Sequence, residues 1–374
     1  MNTHFIRHSF LLYFCIASSV SAQTDSSWKK IGTVDGRITQ IEFHPSGAWF
    51  LIARKDGPFK NGKNIERNFL YRSTDGGNMW KQLADTHFIW PFKQRGNVLC
   101  IHPSGTVLIS AANTEAILND EKPKKQEKGV YCSTDLGETW TKARKGSTDG
   151  FELLSDGSIM TRPMAGPKTL SVDGGLTWED FPYPNLPDCI DEDDMTAGPF
   201  SMAGSFTKTL FLTCSNSQKV WRSTDRGHSW LESINEGYLP HITSAGMPVF
   251  TKYLLRNPPN SGQNSSSEGH AEFWASTDEG IHWNRSDTAY QNINWRYGKI
   301  VNGDNNALYS CLGYMSGKSF VLQKTTDLGR SWTTVSEIFP RSGGLTTFAF
   351  HPDGRLVLGT LDGEIYTLKE QFEE

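Results

Sequence analysis

The chain has 374 residues and lacks several features that would place it in a common class of protein. Beyond residue 22, no apolar run approaches the roughly 20 residues that a membrane-spanning helix needs. The formal net charge is −4, so the chain lacks the basic excess that is typical of nucleic-acid-binding proteins. It has only six cysteines, and a chain of this length does not need disulfides for its stability. The sequence therefore predicts no membrane span and no nucleic-acid partner.

The N-terminal segment has the composition of a secretory signal peptide. Arg7 precedes an apolar run over residues 10–20, and the small residues Ser21 and Ala22 follow it. We therefore expect cleavage after Ala22 and a mature chain of residues 23–374 that is secreted, or periplasmic in a bacterium. Five cysteines remain in that chain, and an odd number leaves at least one thiol free or paired between chains.

A short motif with the pattern S/T-x-D-x-G-x-x-W occurs six times along the chain. The hydroxyl and carboxylate can hydrogen-bond backbone N–H groups of their own turn, and glycine tolerates a positive φ. Tryptophan then opens the next strand and offers a large apolar surface for packing. The six aspartates, which we interpret as structural, are Asp75, Asp135, Asp173, Asp225, Asp278 and Asp327.

The motif resembles the Asp box, or BNR repeat, of sialidases, sortilin-type receptors, xyloglucan hydrolases and lumenal photosystem II assembly factors. The resemblance implies a β-propeller of the sialidase-like superfamily and does not single out one enzyme family. Because these families differ in function, the motif predicts the fold and leaves the activity open.

The spacing of the boxes predicts the number of blades. Successive aspartates are 60, 38, 52, 53 and 49 residues apart, which is typical of propeller blades built from four short strands. Residues 346–368 predict three strands of a further blade without a box, and the segment around Trp28 resembles the strands that follow boxes. We therefore predict an all-β, seven-bladed propeller over residues 23–374, closed by the N-terminal strand.

The extra length of the chain is expected on one face of this propeller. Box turns and the turns between first and second strands lie together on one face, which we call the box face. The opposite, box-free face receives the connections between second and third strands and between blades. Most of the insertions fall there, and long loops on a rigid scaffold commonly carry function. They are residues 55–67, 86–96, 113–128, 182–198 and 257–271.

Candidate ligand-binding residues follow from that placement. Four arginines precede inner strands of neighbouring blades, and guanidinium groups suit carboxylate or sulfate groups through paired hydrogen bonds. Trp90 lies on a connection to the same face, where an aromatic ring can stack on a sugar or fold inward as a lid. The arginines are Arg37, Arg95, Arg296 and Arg341. Simple solvation of these side chains is the alternative.

Candidate catalytic residues are carboxylates expected on the opposite half of the same face. Two carboxylates across a cleft would serve as acid and base in glycoside hydrolysis, and a solvated acidic loop is the alternative. They are Asp149, Asp191, Asp193 and Asp194. The sialidase resemblance adds Tyr297 as a nucleophile, although Arg37-Ile38-Thr39 lacks the proline of that family's Arg-Ile-Pro motif.

These observations predict a secreted propeller that binds an extracellular ligand, most simply an acidic glycan, on its box-free face. One alternative is a carbohydrate-active enzyme, either a glycoside hydrolase or a polysaccharide lyase. Another is a protein-binding scaffold like those of sortilin or the assembly factors. The sequence predicts no cofactor and no metal site.

Overall fold

The computed structural model describes most of the chain beyond Ser27. The residues it describes are 28–60, 63–83, 98–111, 128–146, 148, 150–154, 156–161, 168–181, 201–204, 209–213, 219–234, 241–243, 246–255, 269–285, 290–291, 300–303, 307–313, 320–338 and 344–368. Within these ranges the ordered elements are all strands. None of these residues forms a helix long and apolar enough to cross a membrane.

The strands are short and follow one another along the whole described chain. They are β1 (Trp28–Thr33), β2 (Arg37–Phe43), β3 (Trp49–Lys60), β4 (Lys63–Ser73), β5 (Lys81–Gln82), β6 (Leu99–Ile101), β7 (Val107–Ala111), β8 (Gly129–Ser133), β9 (Thr141–Lys145), β10 (Phe151–Leu153), β11 (Ile159–Thr161), β12 (Thr169–Ser171), β13 (Glu179–Asp180), β14 (Ser201–Gly204), β15 (Leu210–Thr213), β16 (Val220–Ser223), β17 (Leu231–Ile234), β18 (His241–Ile242), β19 (Pro248–Leu255), β20 (Gly269–Ala275), β21 (Asn284–Arg285), β22 (Tyr290–Gln291), β23 (Ile300–Asn302), β24 (Leu308–Gly313), β25 (Phe320–Thr325), β26 (Thr333–Ile338), β27 (Leu345–Phe350), β28 (Leu356–Thr360) and β29 (Glu364–Leu368).

These strands form seven antiparallel sheets, which are the blades of a β-propeller. Blades 1 to 4 are β2–β5, β6–β9, β10–β13 and β14–β17, each in chain order. Blade 5 is β18–β21 with β22 added beside β20, and blade 6 is β23–β26. Each Asp box joins the third strand of its blade to the fourth. The predicted all-β propeller with seven blades is confirmed.

The seventh blade is closed by the N-terminal strand, as predicted. Its order is β27–β28–β29–β1, and β1 pairs antiparallel with β29 from Trp28 opposite Leu368 to Thr33 opposite Glu364. The Trp28 indole donates a hydrogen bond to Ser336 Oγ in blade 6 at 3.0 Å, so the closing strand also contacts the preceding blade. The ring therefore joins its two ends without a covalent link. The predicted signal peptide lies outside the described residues.

The hydrophobic core lies between neighbouring blades rather than at the centre of a single sheet. Side chains alternate along a strand, so Phe50 and Ile52 pack towards blade 2 while Trp49 and Leu51 pack towards blade 7. Similar buried clusters join blades 2 and 3, 3 and 4, 5 and 6, and 6 and 7. Each blade is thus stabilised mainly by its two neighbours.

Two cysteines illustrate how the sheet register limits covalent chemistry. Cys100 and Cys132 lie opposite the same residue, Leu108, on the two strands that flank β7. Their Cα atoms lie two strand spacings, or about 9.5 Å, apart. A disulfide requires Cα atoms within roughly 7 Å of each other, so the two cysteines cannot form one. Both are buried free thiols, and burial raises the pKa of each.

Candidate functional site

The Asp box uses its polar groups within its own turn, as the second copy illustrates. Ser133 Oγ donates to Asp135 Oδ1 at 2.7 Å and accepts the N–H of Gly137 at 2.8 Å. Thr139 donates its backbone N–H to Asp135 Oδ1 at 2.9 Å and its hydroxyl to Oδ2 at 2.5 Å. The Trp140 indole donates to the carbonyl of Gly137 at 3.1 Å. Both carboxylate oxygens of Asp135 are therefore engaged in holding the turn.

The same arrangement recurs in the other five boxes. In each, the first hydroxyl donates to the aspartate at 2.8 Å, and the aspartate accepts the backbone N–H four residues further on at 2.8–3.0 Å. Blade 5 differs in one bond, since the Trp283 indole donates to Ser233 Oγ of blade 4 instead of its own turn. This repetition supports the structural interpretation of the box aspartates.

Hydrogen bonding also lowers the pKa of the box aspartates. The Thr139 hydroxyl, its backbone N–H and Ser133 together hold the pKa of Asp135 at about 2. The pKa is likewise lowered to about 2 in Asp173, Asp225 and Asp278, and is lowered in Asp75 and Asp327. A carboxyl group with so low a pKa is ionised at neutral pH and is poorly suited to donate a proton in catalysis.

The box-free face carries an ordered element where the sequence suggested only an inserted loop. Residues 55–67 belong to β3 and β4, which continue as a two-stranded ribbon with Lys55 opposite Arg67 and Lys60 opposite Lys63. The interpretation of this insertion as a plain loop was therefore wrong. Asn61-Gly62, the pair most typical of tight hairpins, was the signal that could have revealed it.

Arg37 is the one predicted ligand-binding residue among those described. It begins β2 at the box-free face, its side chain is exposed, and it lies directly opposite Arg54 of β3. No carboxylate pairs with Arg37 in the described part of the chain. The other members of the predicted arginine cluster, Arg95, Arg296 and Arg341, lie outside the described residues, as does Trp90.

The predicted catalytic residues Asp149, Asp191, Asp193, Asp194 and Tyr297 also lie outside the described residues. The two neighbours of Asp149 along the chain are described, and they hold a hydrogen-bonded connection between blades 2 and 3.

The backbone on both sides of Asp149 is tightly anchored. Buried Ser110 donates to the carbonyl of Thr148 at 2.6 Å and accepts the Thr148 N–H at 2.9 Å. The Thr148 hydroxyl in turn donates to the carbonyl of Gly150 at 2.8 Å, one residue before β10 begins. Thr148 and Gly150 are therefore held in place just before an inner strand.

The inner strands place two carboxylates that the sequence did not single out, Glu42 of blade 1 and Glu152 of blade 3, within electrostatic reach of Cys100 in blade 2. Three residues occupy equivalent positions in blades 1, 2 and 3. Each lies two residues before the start of the turn that joins the first and second strands of its blade. They are Glu42, Cys100 and Glu152. Burial is the largest cause of the raised pKa of the Cys100 thiol. The negative charges of Glu42 and, to a smaller extent, Glu152 raise it further. The Cys100 thiol therefore lies between two negative charges near the box face.

No set of three or more metal-ligating side chains converges within the described ranges.

Glu42 accepts a hydrogen bond from Gln40 at 2.9 Å, and the same amide donates to the Leu99 carbonyl of blade 2 at 2.6 Å. These inner-strand polar groups thus take part in joining blades 1 and 2.

Comparison with known proteins gives weak sequence similarity to carbohydrate-active enzymes. No protein-family model matches the chain. A xyloglucanase from Paenibacillus sp is 25% identical over 217 residues, which cover 57% of this chain and 17% of that protein. A probable oligoxyloglucan-reducing end-specific xyloglucanase from Neosartorya fischeri is 25% identical over 251 residues, covering 62% and 28%. The chain thus matches less than a third of the length of these relatives.

Solved structures with the same fold cover nearly the whole chain. A GH74 xyloglucanase from Xanthomonas campestris superposes with a TM-score of 0.59 at 15% identity, covering 92% of this chain and 54% of that one. The polysaccharide lyase Uly1 gives 0.54 at 10% identity, covering 94% of both chains. YCF48 from Cyanidioschyzon merolae gives 0.51 at 13% identity, covering 93% and 100%. At these identities the likeness establishes the seven-bladed propeller fold and singles out no enzyme family.

Proposed function

We propose that this chain is a secreted, carbohydrate-active propeller that binds a polysaccharide on its box-free face and cleaves it there. The observation that carries the proposal is the sequence similarity to xyloglucanases from a bacterium and a fungus. The geometry adds that the box face is occupied by self-contained turns, and the sequence predicts most of the insertions on the opposite face. This proposal favours the enzyme alternative over binding alone.

Cleavage would need two carboxylates facing each other across the bound chain. Asp149 is the first candidate, because its neighbours Thr148 and Gly150 are held by hydrogen bonds just before an inner strand. Small displacements of a reacting group greatly reduce the rate of catalysis, so well-held neighbours suit a catalytic position. Asp191, Asp193 and Asp194 are the candidates for its partner. Tyr297 paired with a carboxylate is the arrangement that a sialidase-like mechanism would require.

To test the proposal, the mature chain is incubated with a panel of polysaccharides that includes xyloglucan and polygalacturonate. Reducing ends report cleavage by either route, and the ultraviolet absorbance of an unsaturated product distinguishes lyase chemistry from hydrolysis. We expect product from at least one polysaccharide, and we expect Asp149→Asn to reduce the rate at least about 10²-fold, the usual contribution of a general acid or base. Asp362→Asn, which changes an exposed carboxylate of blade 7, serves as the matched control.

The possible outcomes separate the alternatives. Binding without any product would refute cleavage and favour the glycan-binding function that the sequence first indicated. Neither binding nor product with any polysaccharide would refute the proposal as a whole. In that case a protein ligand, as in the scaffold alternative, becomes the next candidate to test.

A further inference from the structure

Two of the turns between first and second strands carry a histidine that joins neighbouring blades. His44 of blade 1 donates from Nε2 to the carbonyl of Gly105 in blade 2 at 2.8 Å, and its Nδ1 accepts the backbone N–H of Ser46 at 3.0 Å. His102 of blade 2 lies in the same way 2.9 Å from the carbonyl of Gly157 in blade 3. A histidine that accepts at Nδ1 and donates at Nε2 is neutral, so these two bonds between blades do not require a protonated ring.

The equivalent turn of blade 7 differs at one residue. It reads His351-Pro-Asp-Gly354, with Asp353 in the place of Ser46 and Ser104. His351 Nδ1 lies 2.7 Å from Asp353 Oδ1, whereas the Asp353 backbone nitrogen is 3.3 Å away. An ionised carboxylate only accepts hydrogen bonds, so Nδ1 of His351 carries a hydrogen. In its neutral form His351 therefore has no hydrogen on Nε2, the atom that donates in blades 1 and 2.

Asp353 stays ionised because a second cation holds it. Arg355 donates from Nε and Nη2 to Asp353 Oδ2, at 2.8 and 2.7 Å. Burial raises the pKa of Asp353, but the hydrogen bonds from Arg355 and His351 outweigh that effect and hold the pKa at about 2. The carboxylate thus remains a partner for His351 across the range in which histidines change charge, about pH 5 to 8. The Arg355 guanidinium group also lies 5.8 Å from the centre of the Trp49 ring of blade 1.

The ring of His351 lies against aromatic rings of blade 1 rather than on a carbonyl group. Its centre is 4.8 Å from that of Phe43, with 80° between the planes, and 5.0 Å from that of Trp49, with 40° between the planes. In the described part of the chain, His351 forms no hydrogen bond with Gly47, and a Cβ atom added to Gly47 would meet nothing within 4 Å. We call the contact of His351 with Phe43 and Trp49 the closing seam, because it joins the last blade to the first.

Within the described residues, the charged groups that contact His351 come from its own turn. They are Asp353 and Arg355. Glu42 and His44, the titratable residues on either side of Phe43, face blade 2 instead, because side chains alternate along β2. Blade 1 thus presents two uncharged rings to His351. Protonation of His351 therefore places a cation directly against them.

We propose that protonation of His351 strengthens the closing seam. As the pH falls, His351 becomes an imidazolium ion that Asp353 holds in place, and this cation attracts the Phe43 and Trp49 rings. A cation within about 6 Å of an aromatic ring is attracted by the charge distribution of the ring. The folded chain then binds the proton more tightly than the unfolded chain does. The added stability is present at low pH and is lost as the pH rises and His351 becomes neutral.

The test compares melting temperatures between about pH 8 and about pH 5.5. Asp353→Ser gives blade 7 the His-Pro-Ser-Gly turn of blades 1 and 2, in which the histidine is neutral. We expect the wild type to gain about 2 °C relative to this variant as the pH falls. Phe43→Leu removes one ring with little change in volume and should reduce the gain. The matched control Asp362→Ser removes an exposed carboxylate of the same blade and should follow the wild type.

Two further measurements do not depend on the folding of Asp353→Ser. Nitrogen NMR of histidine-labelled wild type at about pH 8 reports which ring nitrogen carries the hydrogen. We expect it on Nδ1 in His351 and on Nε2 in His44 and His102. Ser46→Asp copies the blade 7 turn into blade 1. It should make the stability rise as the pH falls, because His44 could then donate to Gly105 only when its ring is protonated.

Several results would overturn the proposal. One is a hydrogen on Nε2 of neutral His351 in the wild type. Another is the same pH dependence of the melting temperature in wild type and Asp353→Ser, or no new pH dependence in Ser46→Asp. A gain that Phe43→Leu leaves unchanged would assign the effect to the pair of His351 with Asp353 and would contradict a role for the aromatic rings of blade 1. None of these results bears on the proposed function, because the closing seam lies on the box face.

Discussion

His44 of blade 1 donates a hydrogen bond from Nε2 to the carbonyl oxygen of Gly105 in the equivalent turn of blade 2, at 2.8 Å. The tautomer follows from the other ring nitrogen, because Nδ1 accepts the backbone N–H of Ser46 at 3.0 Å. His102 repeats the arrangement one blade further on, with Nε2 2.9 Å from the carbonyl of Gly157. The His-Pro-Ser-Gly turns therefore join neighbouring blades in addition to reversing the chain.

We expect His44→Ala to lower the free energy of unfolding by about 1–3 kcal/mol, because it removes two partly buried hydrogen bonds and leaves the Gly105 carbonyl without its donor. Urea denaturation followed by tryptophan fluorescence measures the change. His228→Ala, at an exposed box position, should change the stability by less than about 0.5 kcal/mol. Equal effects of the two substitutions would contradict a role for His44 between blades.

The glycine two residues after each box aspartate is required for two separate reasons, and substitutions at Gly329 and at Gly76, which precedes that glycine in the first box, can separate them. Gly329 has φ of 82°, and a Cβ atom there would lie 2.1 Å from the Phe273 ring of blade 5. Gly76 has φ of 73°, with nothing within 4 Å of the same added atom. We expect Gly76→Ala to cost about 1 kcal/mol of backbone strain. Gly329→Ala should cost about 2–4 kcal/mol, because overpacking adds to the same strain.

Thermal unfolding of both alanine variants, together with wild type, measures this difference. A cost for Gly329→Ala no larger than that for Gly76→Ala would show that the blades relax freely around the added methyl group. Such a result would contradict tight packing of the box turn on the preceding blade.

The aspartates of the Asp boxes should make the fold sensitive to acid within a defined range of pH. The pKa of Asp135 falls from its ordinary value of 3.8 to about 2 in the folded protein. A group with a lowered folded pKa stabilises the fold above its unfolded pKa, and that contribution is lost as the pH falls from about 4 to about 2. We therefore expect Asp135→Asn to lower the melting temperature at pH 6, and the difference from wild type to shrink below about pH 4.

Melting temperatures of wild type and variant across that pH range provide the measurement. Asp362→Asn, which changes an exposed carboxylate outside the boxes, should follow the wild type throughout. A constant difference between Asp135→Asn and wild type down to pH 2 would mean that the carboxylate charge has no part in holding the turn.

The number of blades could be predicted from the sequence because each Asp box is a local structure. In the first box, Ser73, Asp75 and Gly77 form hydrogen bonds with one another within five residues. The residue types that make the turn are therefore visible in the sequence itself. Closure by the strand at Trp28 was also predictable, since a blade without its fourth strand leaves an unpaired edge. The first prediction rests on short-range hydrogen bonds, and the second on the count of strands in the last blade.

Features that depend on the closed ring were not predictable in the same way. The bond from His44 to Gly105 joins residues 61 positions apart, and Glu42 and Glu152 act on Cys100 only because blades 1 and 3 flank blade 2. The extension of β3 and β4 was missed for a different reason. Residues 55–67 were interpreted as one of several loop insertions, whereas the pairing of β3 with β4 continues through them to Lys60 and Lys63.

The closing strand β1 should contribute much of the stability of the ring through Trp28. Its indole donates to Ser336 Oγ and packs against the cluster between blades 6 and 7. We expect Trp28→Phe to lower the free energy of unfolding by about 1 kcal/mol through the lost hydrogen bond. Trp28→Ala should cost about 3 kcal/mol, because it also removes the buried ring. Lys29→Ala, on the exposed side of the same strand, is the matched control.

Loss of the closing strand should also change how the protein associates. Detachment of β1 exposes the backbone of β29 as a free sheet edge, and such edges pair with other chains. We therefore expect Trp28→Ala to form dimers and larger species when it is incubated at an elevated temperature that is still below its melting temperature. Wild type and Lys29→Ala should not form them. Size-exclusion chromatography with light scattering measures this. A variant that stays monomeric up to global unfolding would mean that the ring opens only when every blade unfolds.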